Sequence, residues 1–76
     1  MKPLKLHLGC RDRIWKGFVN VDYVPYSKEV KKVNLNKYPL PWKTSSVDYI
    51  HCEHLLVFLR DPPGFLHELH RICKPN

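Results

Sequence analysis

No apolar run in the sequence approaches the ~20 residues that a membrane-spanning helix needs, so a helical span is excluded. After Met1-Lys2-Pro3-Leu4 there is no apolar core of the signal-peptide kind. No Cys-x-x-Cys pair is present; Cys10, Cys52 and Cys73 are odd in number and far apart, which suits reduced thiols rather than a disulfide framework. Repeats, low-complexity tracts and interdomain linkers are also missing. These absences point to a cytoplasmic, membrane-free protein. At 76 residues the chain holds one domain, residues 1–76. A chain of that size hides only ~60% of the surface its unfolded form exposes, so its core is small.

The chain has 43% hydrophobic residues, enough for a folded core and too many for a disordered segment. Thirteen basic against seven acidic residues leave a net charge of +6, and Lys28, Lys31, Lys32, Lys37 and Lys43 supply much of it. A run of lysines reads first as a solvated loop. The alternative is a basic module that binds nucleic acid or a partner protein. No nucleic-acid-binding signature accompanies the lysines, and interleaved aromatics such as Tyr26 and Tyr38 are few.

The central stretch is Lys5-Leu6-His7-Leu8-Gly9-Cys10. Leu4, Leu6 and Leu8 alternate with Lys5 and His7, the period of a strand with one apolar face. Gly9 ends the run, where a glycine lets the backbone turn sharply and lets a ligand come close. Residues 10–18 are too short for a full helical crossover. Phe18-Val19-Asn20-Val21-Asp22 reads as a second strand, with Phe18 and Val21 in the core and a carboxylate at its tip. Val30 to Leu35 is a weaker third strand, and its paired lysines mark an edge. Tyr38-Pro39-Leu40-Pro41-Trp42 is an extended loop, since two prolines remove donors and fix the backbone. Val47 to Cys52, β-branched and aromatic, is a fourth strand, with Asp48 capping a turn at its start.

Glu53 to Leu59 reads as a short apolar helix or turn. Asp61-Pro62-Pro63-Gly64 then supplies an N-cap and a proline at the first helical position. Phe65, Leu66, Leu69, Ile72 and Cys73 repeat at helical spacing, with His67, His70, Arg71 and Lys74 on the other faces. Strands joined by connections rather than tight hairpins predict an α/β sheet of about four mostly parallel strands with a C-terminal helix. Ligands in such sheets bind beyond the carboxyl ends of the strands, where Gly9, Asp22, Asn34 and Cys52 fall.

Five blocks in order resemble the first half of a class I S-adenosylmethionine-dependent methyltransferase, the methyltransferase type 11 group. They are Leu6-His7-Leu8-Gly9-Cys10, Gly17 to Asp22, Leu35 to Trp42, Ser46 to Ile50 and Glu68 to Pro75. The resemblance implies a partial Rossmann-like fold and S-adenosylmethionine as cofactor. It implies Gly9 and Cys10 under the methionine part, Asp22 on the ribose hydroxyls, Asn34 and Leu35 at the adenine, and Cys52 and Glu53 closing the crevice. The reaction implied is transfer of a methyl group from a sulfonium to a nucleophile, which needs positioning and water exclusion more than a covalent intermediate.

The chain departs from the family pattern in named places. Arg11 replaces a glycine, Asn34 replaces an aspartate, and Leu56-Val57-Phe58 replaces Leu-Glu-His. The sequence therefore reads as a truncated methyltransferase-like domain with a partial cofactor site. No catalytic residue is assigned, the methyl acceptor is unidentified, and the chain alone is expected to be inactive. Its fourth strand would keep an open edge, so self-association or a completing chain is expected. A third reading is zinc binding by His51-Cys52-Glu53-His54 and His67-Glu68-Leu69-His70. The helical metalloprotease pattern fails at Arg71, so His67 and His70 are read as surface residues and no metal ligand is assigned.

Overall fold

A computed structural model describes residues 3–53 and 59–75. Four strands and one helix follow in chain order: β1 (Lys5–Leu8), β2 (Val19–Asp22), β3 (Val30–Lys32), β4 (Tyr49–Cys52) and α1 (Pro62–Ile72). The sheet order is β3-β2-β1-β4 and every pairing is parallel. This is the parallel α/β sheet with a C-terminal helix that the pattern predicts, and the partial Rossmann-like arrangement that the resemblance implies. Beyond β1 the backbone N–H groups of Gly9 and Cys10 both donate to Val21 O, at 2.8 and 3.1 Å, which ties the first turn to β2. Among the described residues no helix is long and apolar enough to cross a membrane.

The alternation of β1 sorts its side chains between two faces. Leu6 and Leu8 join Val21, Val33, Leu35, Leu40, Val47, Phe65 and Ile72 in the core. His7 points the other way yet is wholly buried, because the 10–18 loop folds over it and stacks Trp15 on its ring at 4.0 Å. Phe18 is only half-buried; it meets His7 and Tyr49 edge-on in that second layer. Charged residues mark β3 as a sheet edge: Lys31 and Lys32 are exposed.

Strands β3 and β4 are shorter than the pattern predicts, and Asp48 is differently used. β3 ends at Lys32, although Val33 still donates to Asp22 O. β4 begins at Tyr49 because Val47 is diverted into a bridge with Cys73 beyond the helix. Asp48 caps no local turn. It accepts from Leu4 N–H at 2.7 Å and from Lys74 Nζ at 3.0 Å, joining the start of β1 to the end of the chain. The segment 54–58, predicted as part of a short helix, lies outside the described residues.

Helix α1 starts as its sequence predicts: Asp61 accepts from Gly64 N–H, and Pro62 lies at the first turn. A side chain at Gly64 would collide with the Asp61 carboxylate, so the cap depends on that glycine. The buried face differs. Leu66 is 54% exposed, whereas Glu68 is buried between Phe65 and Ile72 in the helix pattern. Glu68 Oε1 accepts from Leu40 N–H at 2.7 Å, and Arg71 binds both oxygens of Glu68 while donating to Leu40 O at 3.1 Å. The pair thereby holds both backbone groups of one residue in the proline-rich loop.

The two clamps give the fold an acid-sensitive side. Arg71 first, then Leu40 N–H, holds the Glu68 carboxyl below its ordinary range. Leu4 N–H first, then Lys74, does the same for Asp48. Both groups bind protons more weakly folded than unfolded. Their stabilisation is complete above the unfolded carboxylate pKa of ~4 and is lost as pH falls through the lower folded values. The contribution of these two carboxylates to thermal melts is expected to be constant from about pH 7 to 5 and to drop below about pH 4. Asp48→Asn should flatten part of that drop; an unchanged acid limb in this variant would contradict the assignment.

Candidate functional site

The parallel strands deliver their carboxyl ends to one side of the sheet, and a cleft of about 590 Å³ opens there. That volume falls within the range of small-molecule sites. Gly9, Asp22, Asn34, Leu35 and Glu53 line it, so five of the seven residues expected at the crevice meet in one place. Cys10 and Cys52 are not among its lining residues. Cys10 is fully buried behind the turn, and desolvation, reinforced by Asp22, raises its thiol pKa. Cys52 is exposed as a whole residue, but desolvation of its thiol, with Cys73 second, pushes the pKa up to about 11.

Each lining residue has a local cause. Gly9 has φ 74°, in the left-handed region that a side chain disfavours, so glycine suits the turn after β1. Asp22 is the last residue of β2. Its Oδ2 accepts from Arg11 N–H at 2.9 Å and its Oδ1 from Val24 N–H at 3.3 Å, which fixes the plane of the carboxylate. Asn34 turns its amide oxygen inward to Asn36 N–H at 2.9 Å, and Asn36 in turn accepts from Arg60 N–H. Leu35 is buried and forms an apolar floor.

Sequence reasoning missed several lining residues. Arg11, which stands where the family pattern has a glycine, lines the cleft with a positive φ of 54°. Tyr23 and Tyr26 present exposed rings on the β2 side, and Lys32 Nζ lies 5.2 Å from the Tyr23 ring centroid. Lys37 and Arg60 add cations to the rim. The signal for Tyr23 and Tyr26 is their place directly after a strand-end acid, where a ring beside a ligand crevice has little core to join.

A family model described as "Methyltransferase domain" matches residues 10–76. The chain belongs to that methyltransferase domain family. No curated protein and no solved structure shows significant similarity to it. The methyltransferase domain match spans β2, β3, β4 and α1, so it covers the ends of these three strands at the cleft, while β1 and Gly9 lie just before it.

Proposed function

We propose that this methyltransferase domain binds S-adenosylmethionine in the cleft beyond the strand ends. The observation that carries the reading is the convergence of the Gly9 turn and the oriented Asp22 carboxylate on one cleft, at the carboxyl edge of a parallel sheet. The residues fit the group. Gly9 leaves the backbone open to the methionine part, and Asp22 keeps lone pairs for ribose hydroxyls. Leu35 and the tyrosine rings offer apolar surface to a purine. Arg11, in place of the family's glycine, supplies a cation for the amino-acid carboxylate. When bound, the cofactor supplies an activated methyl group for a nucleophile of unidentified nature.

Calorimetric titration with S-adenosylhomocysteine, which shares the nucleoside and amino-acid parts, is the test. Saturable heat with one ligand per chain is expected. No heat at millimolar ligand would overturn the proposal.

The chain is further read as part of a larger sheet. β4 pairs only with β1 among the described residues, and its Tyr49 and Cys52 are exposed. Such an edge offers a row of unpaired backbone groups to another strand. Pairing of β4 with a second copy of the chain is therefore expected, with sedimentation shifting from monomer to dimer as concentration rises. A single monomer boundary at all concentrations would contradict it. The exposed lysines remain compatible with a solvated rim, and nothing in their placement favours nucleic acid over a small ligand.

A further inference from the structure

On the face of the sheet opposite the core, β1 and β4 run parallel with His7 directly opposite His51. Glu53 follows β4, its N–H donating to Leu8 O at 3.1 Å. His7 Nε2, His51 Nε2 and Glu53 Oε1 come within 4.8 Å of one another. We propose that these three atoms bind a divalent transition-metal ion, zinc by the chemistry of the donors.

The argument starts from the tautomer of His7. Asn20 donates through Nδ2 to Trp15 O and Phe18 O and accepts Trp15 N–H on Oδ1 at 2.9 Å. That network fixes which end of the amide faces His7. His7 Nδ1 lies 3.0 Å from the same Oδ1, so Nδ1 must carry the hydrogen. In the neutral ring Nε2 then presents a lone pair. This atom has no hydrogen-bond partner among the described residues, and His7 is 0% exposed. Buried polar atoms are rarely left unpaired. Here the lone pair faces a carboxylate oxygen 3.5 Å away, an arrangement that repels unless a cation sits between the two.

The spacing suits an ion. Glu53 Oε1 is 3.5 Å from His7 Nε2 and 3.4 Å from His51 Nε2. Bonds of ~2.0–2.1 Å at tetrahedral angles place ligand atoms about 3.3–3.4 Å apart. Two imidazoles and a carboxylate form a familiar zinc donor set, and a histidine whose other nitrogen donates to a fixed oxygen is the usual orientation for such a ligand. Arg13 occupies only Oε2 of Glu53, which leaves Oε1 for the ion and holds the carboxylate in place. The His51 side chain is 35% exposed, so water can reach a fourth position. A proton on His7 Nε2 is the rival occupant, and it would leave the chain without metal affinity.

The test uses the whole chain stripped with chelator. Zinc is titrated by calorimetry and cobalt by visible absorption. Trp15 emission, read in a Trp42→Phe background, provides a local readout, because its ring stacks on His7 and lies 4.4 Å from His51. One equivalent is expected to bind, with four-coordinate cobalt bands and a change in Trp15 emission. His51→Ala and Glu53→Gln should each weaken binding at least about tenfold while circular dichroism stays native, since even the outer partners of a metal site are worth that much. The double variant His67→Ala, His70→Ala should bind as the parent does. Absence of saturable binding at millimolar zinc overturns the proposal. So does affinity unchanged by His51→Ala, or affinity lost in the His67/His70 double variant. No S-adenosyl compound is present, so the result stands whether or not the cleft binds the cofactor.

Discussion

Replacing Asp22 by alanine is expected to weaken S-adenosylhomocysteine binding about 5- to 150-fold, corresponding to ~1–3 kcal/mol for stranding polar partners. The carboxylate stands at the tip of β2, with each oxygen already accepting one backbone N–H from Arg11 or Val24. Those bonds spend one lone pair per oxygen and aim the remainder outward, where the two adjacent hydroxyls of a ribose can donate together. Alanine removes both acceptors at once. Asparagine keeps one acceptor and should fall between parent and alanine. Because Arg11 N–H also loses its partner, the first-turn loop is freed as well, and a thermal melt of each variant separates that loss from the loss of ligand contacts. Equal affinity in parent and Asp22→Ala, with native melts, would remove Asp22 from the site.

The sheet was legible because apolar alternation in Leu4 to Leu8 and Val19 to Asp22, together with connections too long for hairpins, leaves few arrangements besides a parallel sheet. Of the strand-end residues that followed from it, Gly9, Asp22 and Asn34 gather at the cleft because parallel strands end on the same side, whereas Leu35 and Glu53 were expected there only from the family resemblance. What pattern could not supply was which element covers each face. His7 alternates with leucines and so reads as solvent-facing, yet the 10–18 loop returns over it and Trp15 closes the layer. Leu66 and Glu68 exchange roles for a similar reason. An apolar stripe does not say that a carbonyl and an N–H of Leu40 will be waiting opposite the helix for a carboxylate and a guanidinium. Cys10 and Cys52 show the limit of position alone. Each sits at a strand end, but the Cys10 thiol is buried behind the turn and neither residue lines the cleft.

The Glu68→Ala variant is expected to lose about 2 kcal/mol, within the ~1–3 kcal/mol that an unsatisfied buried donor costs. Leu40 is 2% exposed, so its N–H cannot turn to water once Oε1 is gone. Arg71 is left reaching for Leu40 O and Thr44 Oγ1 without the carboxylate that orients it. The loss matters more here than in a large protein. A chain of this length is stabilised by roughly 4–11 kcal/mol at ordinary values per residue. The change should lower the melting temperature by about 8–16 °C, at ~4–8 °C per kcal/mol for a domain of this size. Glutamine keeps an acceptor for Leu40 N–H and should recover much of the loss at neutral pH, because the backbone contact survives while the ion pair does not. If Glu68→Ala and Glu68→Gln melt together, the stabilisation lies in the ion pair between Glu68 and Arg71. If only alanine falls, the Leu40 N–H is the group that the helix must satisfy, a backbone tie added to the packing of the Leu40 side chain in the core.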